Sequence, residues 1–173
     1  MDLSKSKRIM LVGSGGSGKS TLARRLGHIT NIPVIHLDNE FWQPNWVATP
    51  RDRWIEKQKC LISGEKWILD GNYGGTMKMR FEAADTVIFL DINRWVCIYS
   101  AIKRWILNYG KTRLDMAKGC PEKIDFEFIK WIYSFPKTSN TTIVSLMEIY
   151  KDKNIVILKS RKEMRKFLDE MSI

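Results

Sequence analysis

A run of glycines and serines near the start of the chain ends in a lysine followed by another serine. The run fills every fixed position of the phosphate-binding pattern G-x-x-x-x-G-K-[ST]. The residues that we expect to contact a nucleotide here are Gly13, Ser14, Gly15, Gly16, Ser17, Gly18, Lys19, Ser20 and Thr21. Backbone N–H groups of such a loop and the N-terminus of the helix that follows it bind a polyphosphate. Lys19 is expected to contact the β- and γ-phosphates, and the Ser20 hydroxyl is expected to bind Mg²⁺. The sequence therefore predicts a nucleoside triphosphate and Mg²⁺ as ligands. The absence of an Asn-Lys-x-Asp guanine signature favours ATP over GTP.

Two other interpretations of this loop stay open. Gly13 to Gly18 also spell G-x-G-x-x-G, and Asp38 follows about 20 residues later, where a dinucleotide-binding fold places its ribose-binding acid. The glycines are also compatible with a plain structural turn. The Lys19–Ser20 pair favours the triphosphate, because a dinucleotide offers no γ-phosphate or Mg²⁺ to require an ammonium and a hydroxyl there.

Two aspartates close apolar runs that we predict to be strands. Asp70 follows Trp67-Ile68-Leu69 and is predicted to organise Mg²⁺, usually through water, although Asp-Gly is also a common turn. Asp38 follows Val34 to Leu37 and is predicted to accept a proton from an acceptor hydroxyl or to orient that hydroxyl. The alternative for Asp38 is a loop aspartate that caps the next turn.

The segments after these aspartates supply the predicted acceptor site. Trp42, with Phe41 and Trp46, is expected to wall the acceptor pocket. The residues predicted to contact the acceptor are Asp38, Trp42, Asn72, Tyr73 and Arg80. His36 lies inside its predicted strand and is expected to be hydrogen-bonded rather than catalytic.

A basic, glycine-punctuated stretch at about 108–123 is predicted to be a lid that closes over the triphosphate. Arg104 and Arg113 are predicted to be catalytic, because a planar guanidinium binds two phosphate oxygens and keeps its proton. Lys111 is a further candidate. A solvated basic loop without a catalytic part is the alternative interpretation.

Short apolar runs alternate with helical patterns along the whole chain, which predicts a three-layer α/β fold. We expect one domain over residues 1–173, with five parallel strands, and ligands at the carboxyl ends of those strands. The predicted strands are 8–12, 33–37, 66–69, 86–90 and 154–158. The predicted helices are about 19–27, 49–62, 94–107, 124–135, 140–150 and 160–171, with Thr49 as the N-cap of the second.

Composition narrows the class of protein. The chain has 173 residues, 44% of them hydrophobic, and no apolar run long enough to span a membrane. Its start lacks an apolar signal segment, and its three cysteines form no disulfide or zinc pattern, so we expect a cytoplasmic protein with reduced thiols. The net charge of +10 points to anionic partners without saying which.

These motifs together resemble a known group of enzymes. The chain is similar to the adenylate-kinase-like P-loop kinases, and within them to the DNA topology modulation proteins of the FlaR type. The blocks that carry the likeness are 13–21, 36–38 with Trp42, 67–73, 84–91, 103–104, 113–116 and 119–122. The resemblance implies a P-loop NTPase fold with strand order 2-3-1-4-5, ATP at the loop, and a small helical lid.

The sequence departs from that group on the acceptor side. Adenylate kinases continue the Asp-Gly block with Phe-Pro-Arg, whereas this chain has Asn72 and Tyr73, which argues against a nucleoside monophosphate acceptor. The segment with Asp38 and Trp42 is more similar to kinases of hydroxyl substrates, such as nucleoside, shikimate or gluconate kinases. Of the four ligands that a zinc lid would need, only Cys120 is present, so the lid is expected to be metal-free.

The leading hypothesis is therefore Mg-ATP-dependent phosphoryl transfer to a small hydroxyl-bearing or nucleotide-like acceptor. One alternative is a nucleic-acid-associated protein that modulates DNA topology and has a regulatory ATP site; the charge permits this, although no nucleic-acid-binding motif is legible. Another is an NTPase switch without an acceptor. The acceptor and the oligomeric state are not predicted.

Overall fold

The computed structural model describes residues 6–171, so most of the start that is predicted to lack a signal segment lies outside the described residues. Seven strands and eight helices are present in this range, with two short 3₁₀ turns at 44–46 and 135–137. The strands are β1 (Arg8–Gly13), β2 (Val34–His36), β3 (Trp42–Gln43), β4 (Val47–Ala48), β5 (Trp67–Asp70), β6 (Thr86–Leu90) and β7 (Asn154–Leu158). The helices are α1 (Lys19–Thr30), α2 (Leu37–Phe41), α3 (Arg51–Ile62), α4 (Gly74–Ala83), α5 (Arg94–Leu107), α6 (Phe126–Ser134), α7 (Ser139–Ile149) and α8 (Arg161–Met171).

Five parallel strands form the main sheet in the order β2-β5-β1-β6-β7. This confirms the predicted order 2-3-1-4-5, because β3 and β4 pair only with each other, as a small antiparallel hairpin. The register places His36 beside Asp70 and Asp70 beside Leu11. The carboxyl ends of β2, β5 and β1 therefore meet at one edge of the sheet, where ligands bind in open α/β folds.

Both faces of the sheet are buried, as expected of parallel strands between helices. Alternate residues of β1 enter different cores: Ile9 and Leu11 pack with α1, α5 and α8, and Met10 and Val12 pack with α3, α4 and α7. No helix within residues 6–171 combines the length and apolar character needed to span a bilayer.

Four local features differ from the sequence-based expectation. The predicted strand 33–37 ends at His36, so Asp38 lies in the short helix α2 directly after β2. Helix α4 and the β3–β4 hairpin were also not predicted. Helix α3 begins at Arg51 with Pro50 in the N-cap position, whereas the Thr49 hydroxyl donates to the carbonyl of Phe41. The proline fits because its missing N–H leaves no donor unsatisfied before the helix.

The segment 108–125, which contains the lid predicted at about 108–123, connects α5 to α6, and we call it the lid segment. It consists of turns and one isolated bridge between Tyr109 and Glu122, and the helical part of this region is supplied by α5 and α6 on either side. Gly110 and Gly119 bend the segment in left-handed conformations, with φ of 70° and 78°.

Candidate active site

A cleft of about 880 Å³ opens at the carboxyl edge of the sheet. Most of the predicted site residues line it, although they come from many separate segments of the chain. Those that line the cleft are Gly15, Gly16, Gly18, Lys19, Ser20, Thr21, Asp38, Trp42, Asp70, Asn72, Tyr73, Arg104 and Arg113. Gly13, Ser14 and Ser17 do not line it and are buried in the loop.

The glycine loop is held in a curled shape by packing against α5. Gly16 and Gly18 have φ of 75° and 101°, which residues with a side chain rarely adopt. A Cβ on Gly16 would lie 2.2 Å from the carbonyl oxygen of Cys97, so only glycine fits. At the start of the loop, the Asn72 side chain accepts from the N–H of Gly13 (3.0 Å) and donates to its carbonyl (2.7 Å). The result is the curled backbone that a polyphosphate requires.

Lys19 lies across the mouth of this loop. Its Nζ donates to the carbonyl of Ser14 at 2.8 Å. Loss of solvent lowers the pKa of Lys19, and the nearby carboxylates of Asp70 and Asp38 oppose that effect. The ammonium lines the cleft and makes one hydrogen bond to the loop, so a phosphate in the cleft would stabilise its charge further.

Asp70 is buried at the end of β5 and is oriented by a histidine. His36 Nδ1 and Asp70 Oδ2 are 2.8 Å apart, and their side chains are 12% and 5% exposed. This contact follows from the β2–β5 register. His36 is thus hydrogen-bonded, as its strand position predicted, and its partner is the carboxylate expected to organise Mg²⁺.

A further carboxylate, Asp115, lies in the cleft and was missed from the sequence. It is 7% exposed and forms an ion pair with Arg113 at 2.8 Å. Burial alone would raise the pKa of Asp115, but the Arg113 charge and the nearby Ser20 hydroxyl bring it below its ordinary value. The only sequence signal was its position two residues after a predicted catalytic arginine.

The oxygen atoms of Ser20, Asp70 and Asp115 form a donor set that suits Mg²⁺ better than a soft metal. Within residues 6–171, no group of three or more His, Cys, Asp or Glu residues is arranged to hold a metal ion by itself. Mg²⁺ needs no such group, because it keeps several waters and binds through one or two carboxylates together with substrate phosphates. The residues present fit Mg²⁺ in that form.

Glu122 binds both predicted catalytic arginines, and it too was missed. Its side chain is 3% exposed. One carboxylate oxygen accepts from Arg104 Nε at 3.0 Å, and the other contacts Arg113 Nε. Burial, then the neighbouring Arg113 charge, lowers the pKa of Arg104. Glu122 therefore holds two guanidinium groups together at the edge of the cleft.

We expect Glu122→Gln to lower the free energy of unfolding by roughly 3 kcal/mol, because removing one partner of a buried ion pair leaves the other charge uncompensated. Urea unfolding followed by circular dichroism measures this difference. The exposed Glu148→Gln is the matched control and should change stability by less than about 0.5 kcal/mol. Equal stability of Glu122→Gln and the wild type would contradict the positioning role of Glu122.

The acceptor side of the cleft is aromatic and contains Asp38. The Tyr73 hydroxyl donates to Asp38 Oδ1 at 2.7 Å, which leaves the other carboxylate oxygen free of that bond. Trp42 and Trp46 line the cleft with their rings edge to face, 5.4 Å apart. Phe41 does not line the cleft and packs behind it, against the Tyr73 ring at 4.8 Å.

Loss of solvent raises the pKa of Asp38, and the negative charge of Asp70 adds to this effect. The hydrogen bond from Tyr73 and the Lys19 charge act in the opposite direction. A carboxylate with a raised pKa is a better proton acceptor, and such groups cluster in functional sites.

Arg80 does not reach the cleft, so its predicted contact with an acceptor is not supported. It is fully buried at the end of α4, and its guanidinium donates to the carbonyls of Gly71, Asn72 and Tyr73. These bonds hold a loop in which Tyr73 has φ of 39°, an unusual conformation for a tyrosine. Arg80 shapes the wall of the site from behind.

The fold is that of shikimate kinases. Three solved structures match the chain along almost its whole length, all with low sequence identity. They are shikimate kinases from Acinetobacter baumannii in complex with shikimate (TM-score 0.61, 14% identity, 98% of this chain and 92% of that one), Bacteroides thetaiotaomicron (0.53, 15%, 96% and 96%) and Aquifex aeolicus (0.53, 21%, 95% and 93%). No protein-family model matches the sequence, and no curated protein matches it significantly.

The fold of this chain is therefore that of a P-loop kinase with an adenylate-kinase-like sheet. Identities of 14–21% establish the fold alone. The FlaR-type assignment stays a prediction.

Proposed function

We propose that this protein is an ATP- and Mg²⁺-dependent kinase that phosphorylates a hydroxyl group of a small molecule. The observation that carries the proposal is that Asp38 faces the same cleft as the curled phosphate loop and is close enough for Lys19 to affect its pKa. A proton acceptor and a phosphate-binding loop in one cleft are the two parts that phosphoryl transfer to a hydroxyl group needs. The kinase fold of the similar structures agrees with this function.

In this proposal the loop amides and Lys19 bind the phosphate chain of the nucleotide. Ser20, Asp70 and Asp115 would hold Mg²⁺, which neutralises phosphate charge when it is bound. Asp38 takes the proton of the acceptor hydroxyl while Tyr73 fixes its orientation. Arg104, on α5, and Arg113, on the lid segment, stabilise charge on the transferred group. Trp42 and Trp46 exclude water from the acceptor side.

A phosphoryl-transfer screen with labelled ATP tests the reaction class. The acceptors are nucleosides, nucleotides, sugars, cyclic polyols and shikimate, and the control is the Lys19→Met variant. Transfer to any hydroxyl compound that disappears in the variant supports the proposal. Hydrolysis of ATP at a rate that no acceptor changes would favour the NTPase switch, and salt-sensitive DNA binding without transfer would favour the nucleic-acid hypothesis.

We expect His36→Phe to raise the Mg²⁺ concentration needed for half-maximal activity by about 10- to 100-fold, because outer partners orient metal-organising carboxylates. The affinity for ATP measured without Mg²⁺ should stay near the wild-type value. His28→Phe, on the solvent side of α1, is the matched control. An unchanged Mg²⁺ requirement in His36→Phe would contradict the role of the His36–Asp70 contact.

A further inference from the structure

One side of α5 exposes a row of large apolar side chains that the proposed function does not use. Their exposed fractions are 63% for Trp95, 64% for Tyr99, 39% for Ile102, 62% for Ile106 and 72% for Tyr109, just beyond the helix end. They follow one another at intervals of four, three, four and three residues. We call these five residues the α5 stripe.

The α5 stripe belongs neither to the core nor to the cleft. The buried face of the same helix is formed by Cys97 and Ala101, and the cleft is lined from another side, by Ser100 and Arg104. In the part of the chain that the structure describes, ring contacts occur only at the ends of the stripe, from Trp95 to Tyr133 of α6 at 5.6 Å and from Tyr109 to Trp105 at 5.8 Å. Apolar surface of this extent on a folded protein marks an interaction site.

The spacing of the α5 stripe indicates another helix as the occupant. Alternating steps of four and three residues are the spacing of the seam between paired helices. Val96 and Leu107, which are 40% and 66% exposed on the same helix, flank this seam and widen the apolar surface that a second helix would cover. Trp95 and Tyr109 lie seven positions before and after Ile102, and Tyr99 and Ile106 lie three positions before and four positions after it. Such a seam is self-complementary under a twofold axis, which is the commonest symmetry of protein dimers.

We propose that two copies of this chain associate through their α5 helices, antiparallel and with the twofold axis near Ile102. Ile102 then faces its own copy, Trp95 faces Tyr109 of the second copy, and Tyr99 packs beside Ile106 with an offset of one residue along the helix. The three aromatic rings and two isoleucines offer on the order of 600 Å² per copy. This approaches the roughly 800 Å² per partner that a standard interface buries, and side chains flanking the stripe add to it.

Charge around the α5 stripe makes the dimer testable by salt. Helix α5 contains no Asp or Glu, and the exposed Lys103 lies next to the proposed axis. The two Lys103 side chains therefore repel each other across the axis, and salt screens that repulsion. Dimerisation is expected to become tighter as the salt concentration rises. Binding of an anionic lipid surface or of DNA through the same residues would become weaker.

Sedimentation velocity over about 1 to 100 µM protein, at low and high salt, measures the dimer. We expect a monomer–dimer equilibrium that salt strengthens, and Ile106→Lys should raise the dissociation constant at least about 100-fold. Ile149→Lys is the matched control, because Ile149 is 65% exposed at the end of α7, outside the stripe. Circular dichroism confirms that both variants are folded.

A cross-link tests the position of the axis. In a Cys60→Ser background, which removes the exposed native thiol, Ile102→Cys should form an intermolecular disulfide under mild oxidation. Trp95→Cys should not, because its partner is Tyr109. A monomeric wild type, equal loss of the dimer in Ile149→Lys, or an Ile102→Cys dimer that does not cross-link would each overturn the proposal. A monomer that binds phosphatidylserine vesicles or DNA, more weakly at high salt, would also overturn it, in favour of that partner.

Discussion

Lys19→Met is expected to lower kcat/KM by at least about 1,000-fold, the effect of removing a positioned charge from a phosphoryl-transfer site. The Lys19 ammonium crosses the mouth of the glycine loop and is desolvated there, and the charges of Asp70 and Asp38 offset this loss of solvent only in part. A neutral side chain of similar length leaves the loop backbone intact. The measurement is phosphoryl transfer together with ATP affinity by calorimetry.

The exposed Lys151→Met is the matched control for Lys19→Met and should retain wild-type kinetics. Both variants should unfold cooperatively, which separates a loss of function from a loss of fold. Nucleotide affinity and turnover in Lys19→Met that equal the wild-type values would contradict the role of the loop as the phosphate site.

The fold could be predicted from the sequence because its signals are local. Each strand of the main sheet is a short apolar run, and every run except β5 is followed by a recognisable helical pattern. Parallel sheets bind ligands at the carboxyl ends of their strands, and this rule predicted from the sequence that Lys19, Asp38 and Asp70 share one site. The structure places all three in one cleft.

The carboxylates of the lid segment could not be predicted in the same way. Asp115 and Glu122 lie in an irregular stretch whose path depends on long-range bonds, such as that from the Glu122 N–H to the carbonyl of Lys111. No periodicity marks such residues. The role of Arg80 was hidden for a related reason, because helix α4, which carries it, begins with two glycines and gave no helical signal.

Ion pairs within the lid segment and with α5 balance the charge of the arginines at the edge of the cleft. Arg104 and Arg113 are both paired with Glu122, and Arg113 is also paired with Asp115. Phosphate oxygens suit the same guanidinium geometry as carboxylates. The proposed kinase would therefore use for phosphate the same guanidinium groups that pair with these carboxylates.

Asp38→Asn is expected to lower kcat by about 100- to 10,000-fold, because an amide cannot take the proton of the acceptor hydroxyl. The affinity for ATP should change little, since Asp38 lies on the acceptor side beside Tyr73. Turnover by the wild type should fall as the pH is lowered through the raised pKa of Asp38, which lies above the ordinary value of about 4. The pH dependence of kcat/KM measures this loss of activity at low pH.

The Asp38→Asn substitution should lower activity but raise the free energy of unfolding. The pKa of Asp38 is higher in the folded state than in the unfolded chain, so the ionised carboxylate disfavours folding at pH above the folded-state pKa. This penalty disappears as the pH falls through that pKa. Asp38→Asn should therefore unfold at a higher urea concentration than the wild type at about pH 8, with a smaller difference at about pH 4. The exposed Asp169→Asn should show neither effect.

An Asp38→Asn variant that is as active as the wild type would exclude Asp38 as the base. An Asp38→Asn variant that is less stable than the wild type at about pH 8 would show that the charge of Asp38 supports the fold.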